Sequence, residues 1–148
     1  MNSSVTFLSE GVQIPAALNQ AMVSEWVECV ARSYAKELGR VTYIFVGDER
    51  ILEVNRQFLG HDYYTDIITF DYTEGKHISG DLFISLDTVR SNAEQLGVPY
   101  GNELHRVVIH GILHLCGIND KGPGEREVME AAENRALALL ASMNNEQK

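Results

Sequence analysis

His110 and His114 stand four residues apart in the run His110-Gly111-Ile112-Leu113-His114-Leu115-Cys116-Gly117-Ile118-Asn119-Asp120. Residues at i and i+4 of a helix stack one turn above each other, so both imidazoles fall on one face. Gly117 is the residue type that ends helices in a left-handed turn, and such a turn swings Asp120 back toward the imidazoles. Two nitrogens and one carboxylate converging on a point form the ligand set of an open zinc site, with a position left for water or substrate. Val107, Val108, Ile109, Ile112, Leu113 and Leu115 make this helix apolar nearly all round and therefore buried. Buried imidazoles need polar partners, and a metal ion is one. The expected ligands of one Zn2+ per chain are thus His110, His114 and Asp120.

The remaining chemistry-bearing residues are sparser. Arg56, Arg106 and Lys121 are the candidate cations for stabilising an anionic transition state, with Arg56 and Arg106 the candidate catalytic pair. His61, His77 and His105 have no partner at ligand spacing, and His105 sits about 140° round the helix from His110. Asp66 and Asp81 read as structural carboxylates. Cys29 and Cys116 form no Cys-x-x-Cys pair and read as small apolar residues of a reducing compartment.

Periodicity supplies the elements that must position these groups. A short strand over 5–8 precedes a helix running from Pro15 to Leu38, with Gly39 following its last turn. The β-branched and aromatic run 41–46 predicts a strand buried on both faces. A short helix follows, with Asp48 as N-cap and Ile51, Leu52, Asn55 and Phe58 on its inner side, then a loop over 60–64. Strands over 66–72 and 79–85 flank a turn and form a hairpin. Asp87 caps a helix closed by Gly97, and the histidine helix spans 103–116. After the Gly-Pro-Gly break at 122–124, a last helix over 125–143 buries Val128, Met129, Ala132, Ala136, Leu139 and Leu140. Residues 144–148 read as a polar, frayed tail. The order β-α-β-α-β-β-α-α-α predicts one α+β domain over 1–148, a small mixed β-sheet packed with helices.

Composition bounds the function. The chain has 148 residues and 45% hydrophobic content, enough for a core without disulfides. No apolar run reaches the length of a membrane span, and residues 1–7 lack the basic start and apolar block of a secretory signal. Cytoplasm is the expected compartment, with no membrane partner. A net charge of −9 opposes a broad basic face for nucleic acid. Any such binding requires Arg and Lys concentrated locally, or a partner protein.

The helix, glycine and third-ligand spacing resembles the zinc-protease motif His-Glu-x-x-His-x-x-Gly-x-x-His of the metzincins. Gly111 stands where those enzymes carry the general-base Glu, which turns the motif away from peptide hydrolysis. The wider sequence resembles the YbeY family of bacterial metal-dependent endoribonucleases. Its signature His-Gly-x-Leu-His-Leu-x-Gly is matched by His110, Gly111, Leu113, His114, Leu115 and Gly117. Thr65-Asp66-Ile67-Ile68-Thr69-Phe70 is similar to its Thr-Asp-Val-Leu-Ser-Phe, and Gly80-Asp81-Leu82-Phe83-Ile84-Ser85 to its Gly-Asp-Ile-x-Ile-Ser.

That resemblance implies a zinc-binding α+β fold and cleavage of single-stranded RNA. It further implies maturation of the 3′ end of small-subunit ribosomal RNA, ribosome quality control, and RNA and the ribosome as partners, with no DNA. Its metal ligands carry over to His110, His114 and position 120. The chain departs from the pattern twice. Asp120 replaces a third histidine, which leaves a Zn2+ site at formal +1 rather than +2 and makes harder divalent metals more competitive. The family's active-site arginine falls at Leu59, one turn from Arg56. Alternatives are a metal-dependent hydrolase of another bond and a non-catalytic ribosome-assembly factor with a structural metal.

Overall fold

Alternation along the chain sends Val41, Tyr43 and Phe45 to one side of a sheet and Ile44 and Val46 to the other, and all five are buried. In a computed structural model, whose described residues are 4–146, these positions lie on the central strand β2, Glu37–Val46. It pairs in parallel with β1, Ser4–Ser9, and with β4, His77–Ser85, while β3, Ile67–Asp71, closes the other edge antiparallel to β4. The strand order is β1-β2-β4-β3. Helix α1, Gln20–Ser33, links the parallel pair β1 and β2.

The two faces of the sheet are unequal. The larger core joins Val41, Tyr43, Phe45, Leu82 and Ile84 to α1, to α4, Tyr100–Leu115, and to α5, Glu125–Glu146. The smaller one packs Ile44, Val46 and Ile68 against Ile51 and Val54 of α2, Asp48–Val54. One π-helical turn, Asn55–Leu59, continues α2, and α3, Leu86–Leu96, leads into α4. The architecture is an α+β fold with a small mixed sheet. No helix among the described residues is long and apolar enough to cross a membrane.

Several element ends differ from the sequence expectation. Helix α1 starts at Gln20 rather than at Pro15, capped by Asn19, whose side chain accepts the Met22 N–H at 3.1 Å. It stops well before Gly39, because Ala35 takes the left-handed conformation, φ 59°. The Lys36 N–H then closes onto the Ala31 carbonyl at 3.0 Å. Leu38 and Gly39 belong to β2, where a Cβ at 39 would lie 2.7 Å from the Ile78 carbonyl oxygen.

Asp48 and Asp87 exchange the roles assigned to them. Gly47 and Ser85 occupy the cap positions, and the Asp87 carboxylate accepts the Asp48 N–H at 2.9 Å. Asp48 in turn accepts the Ser85 hydroxyl at 2.7 Å, so each helix start is secured by the other. Phe58, Val128 and Leu139 are exposed rather than buried. Helix α4 begins at Tyr100, and α5 continues to Glu146 in place of the expected frayed tail. Residues 1–3 of the segment read for a signal, and 147–148 of the tail, lie outside the described residues.

Candidate metal centre

Helix α4 lies against the sheet through Gly111. A Cβ there would stand 3.0 Å from Ile67 Cδ1 and 3.1 Å from both Leu82 methyl carbons. The position at which the resembling proteases hold their base therefore faces packed strands and not the site. Tyr43, wholly buried, donates its hydroxyl to the Val108 carbonyl at 2.9 Å and fastens the helix to β2. Burial pushes the Tyr43 phenol up, keeping it a donor.

The end of α4 explains how the acidic residue returns. The Gly117 N–H donates to the His114 carbonyl at 3.0 Å and the Ile118 N–H to the Leu113 carbonyl at 3.1 Å. With Gly117 left-handed at φ 98°, this is a Schellman turn. The chain doubles back, and Asp120 Oδ2 comes within 3.3 Å of His110 Nε2.

The other nitrogen of His110 is held from α5. Nδ1 lies 2.7 Å from Glu133 Oε2, and Arg106 Nη1 donates to Glu133 Oε1 at 2.9 Å. Arg106 Nη2 donates to Asn134 Oδ1 at 2.8 Å. Burial favours the neutral form of Glu133, yet the hydrogen bonds from His110 and Arg106 outweigh it and hold the carboxyl below its ordinary range. Burial likewise pushes His110 down, but Glu133, Asp120 and Asp66 together lift the imidazole above its ordinary value. Burial raises the Asp66 carboxyl, with His110 offsetting part of the effect, and raises Glu103, which Asp66 reinforces.

His110, Asp120, Arg106, Glu133, Glu130 and Arg126 line the polar part of a cleft of about 900 Å³ between α4 and α5. Its other walls mix apolar side chains, among them Leu96, Val98, Leu137 and Leu140, with the polar Asn102, Glu103, His105 and Asn144. His114, half-buried one turn beyond His110, is not among the lining residues. Arg56 lies on the π-helical turn, away from the cleft, in an ion pair with Asp62. Lys121 is exposed and also outside the lining. His77 pairs with Glu37 at 2.9 Å, and His105 is bonded to the Gly101 carbonyl at 2.6 Å. Both cysteines are free, and burial pushes the Cys116 thiol up to about 11.

Whether these residues fit a metal can be judged from His110. A ligating histidine uses one ring nitrogen and donates the other to a carboxylate, which fixes its tautomer. Glu133 takes Nδ1 in that way, and Nε2 is left facing the Asp120 carboxylate. Among the described residues, however, no three His, Cys, Asp or Glu side chains are gathered as a ligand group. The structure brings two of the three expected ligands together, with the carboxylate support a ligand needs.

Glu133 and Arg126 were not among the residues singled out by spacing. Glu133 did carry a signal: it interrupts the buried stripe of Met129, Ala132, Ala136 and Leu140, and a carboxylate there needs a partner. Arg126 carried none, since its place across from His110 depends on how α5 packs.

A family model described as Endoribonuclease YbeY matches residues 4–141. The chain is 66% identical over 136 residues to Endoribonuclease YbeY of Bacteroides thetaiotaomicron, covering 92% of this chain and 98% of that one. It is 66% identical over 137 residues to the protein of the same name in Phocaeicola vulgatus, covering 93% and 99%. The fold is similar to the solution structure of a Thermotoga maritima protein, with a TM-score of 0.68 and 27% identity over 97% of this chain and 93% of the other. The match spans the sheet, the histidine helix and the Glu133 helix together, and so the chain belongs to the Endoribonuclease YbeY family.

Proposed function

We propose that this chain is a metal-dependent endoribonuclease that cuts single-stranded RNA during ribosomal RNA processing, at the 3′ end of the small-subunit RNA, in the cytoplasm. Family membership supports the reaction, and the observation that carries the site is His110 held between Glu133 and Asp120. His110, His114 and Asp120 would hold the metal, Zn2+ in this reading. When bound, it supplies Lewis-acid polarisation of a phosphodiester oxygen and an activated water.

The chain's own residues do the positioning. Glu133 fixes the tautomer and direction of His110, and Arg106 keeps Glu133 ionised and in place. Arg126 lines the same cleft with no ion pair among the described residues, which suits it to a phosphate. Arg56 has its own carboxylate partner outside the cleft, and in this reading it meets the strand farther from the scissile bond. The engagement of Arg56 and Arg106 by carboxylates also favours a second reading, a ribosome-assembly factor in which the metal is structural.

The test is cleavage of unstructured and duplex RNA by protein of assayed metal content. The wild type should cut the unstructured strand, and His114→Ala should lose cutting while keeping its circular dichroism. Equal cutting by both proteins would sink the catalytic assignment. In the same preparation, Asp120→His should bind Zn2+ more tightly. Unchanged or weaker affinity would remove Asp120 from the ligand set.

A further inference from the structure

Trp26, Tyr43 and Phe45 are buried in the core, but Phe58, Tyr63 and Tyr64 stand 58%, 52% and 58% exposed within one short stretch before β3. This stretch is built rather than loose. Asn55, itself only 1% exposed, donates its side-chain N–H to the Tyr63 carbonyl at 2.8 Å. The His61 N–H donates to the Asn55 carbonyl at 3.1 Å. The Tyr63 hydroxyl lies 2.9 Å from His61 Nδ1, and the two rings stack at 5.1 Å and 20°. Phe58 sits edge-on to Phe70, with ring centres 5.7 Å apart. A buried amide thus fixes a segment whose aromatic rings face water.

The segment leads into β3, the strand that packs under the histidine helix. Three residues after Tyr64, about 10 Å of extended chain at most, Ile67 packs against Gly111, the neighbour of His110. We propose that His61, Tyr63, Tyr64 and Phe58 form a platform on which the unpaired bases of an RNA strand stack as its backbone approaches the cleft. The inference rests on the endoribonuclease reading and adds where the substrate is gripped. Exposed rings hold single-stranded bases by their faces, irrespective of sequence, whereas paired bases present no free face. Stacking also needs no basic surface, which reconciles RNA binding with a net charge of −9.

The experiment measures the affinity of full-length protein for a fluorescein-labelled unstructured RNA by anisotropy, at fixed salt and without relying on cleavage. The double variant Tyr63→Ala, Tyr64→Ala should weaken binding about 5- to 100-fold, the loss of one or two stacked bases. Tyr63→Phe keeps the ring, loses the hydroxyl, and should bind as wild type. Thermal melting and metal content should stay unchanged in all three proteins. Equal affinity of the double variant, or no binding by the wild type, overturns the platform. So does a change of oligomeric state in gel filtration with RNA affinity intact, which would make the patch a contact between copies. Tight wild-type binding without cleavage would instead sink the nuclease reading and leave the platform standing.

Discussion

The cleft between α4 and α5 and the segment before β3 are linked through Gly111 of α4, which packs on Ile67 of β3, yet they are built in opposite ways. In the cleft the charges are arranged in a chain, Arg106 to Glu133 to His110 to Asp120, with Glu133 buried and the other three half-buried. In the segment before β3 the ion pair of Arg56 with Asp62 has side chains 57% and 74% exposed, and the neighbouring Phe58, Tyr63 and Tyr64 are exposed aromatics. A buried chain of charges holds geometry, because each member left alone would carry the full penalty of desolvation. An exposed pair is screened by water and holds little. The cleft is suited to fixing reacting groups, and the edge to gripping a flexible strand.

The contrast can be broken at its seam. Gly111→Glu would drive a carboxylate between Ile67 and Leu82, where it has space only if the helix and the sheet part. The expected loss is about 3–5 kcal/mol, read as a collapse in urea midpoint. A variant that melts like the wild type would mean that α4 is not seated on the sheet as described. Next in size is Glu133→Gln, which keeps the shape and removes the charge holding both His110 and Arg106. Metal affinity should fall about 10- to 100-fold in a zinc titration.

The same variant carries a pH signature. The Glu133 pKa is lowered on folding, so the stability its ionised form gives is present above the ordinary glutamate range and lost as pH falls through the lowered value. Wild type and Glu133→Gln should therefore converge in stability on acidification, and a gap that widens would contradict the ion-pair chain. The smallest effect belongs to the edge: Arg56→Ala should change stability by less than about 0.5 kcal/mol in urea unfolding. A loss comparable with that of a buried pair would erase the distinction between the two regions.

Much of this arrangement was legible before folding was considered. The spacing of His110 and His114 and the glycine at 117 foretold a helix, a left-handed stop and a returning carboxylate, because all three are local backbone rules. The β-branched and aromatic run over 41–46 and the hairpin over 66–85 were equally readable. Helix ends were less so. Gly39 looked like a helix stop, but Ala35 takes that conformation and Gly39 serves a close approach of strands. Asp48 and Asp87 looked like caps of their own helices and became partners across them, an exchange that needs both helix starts to be neighbours.

By itself the sequence determined the family motifs, the α+β order of elements and the turn that returns Asp120 to His110. These depend on residues within a turn or two of one another, where periodicity and turn chemistry act directly. Only the tertiary structure decided that Arg106 and Arg56 are tied to carboxylates, that Arg126 shares a cleft with His110, and that Gly111 faces packed strands. It also decided that Glu133, 23 residues along the chain from His110, is the group that aims it. The contacts of Glu133 and Arg126 join separate elements, and their geometry is set by how α5 packs on α4, which no local rule in the chain encodes.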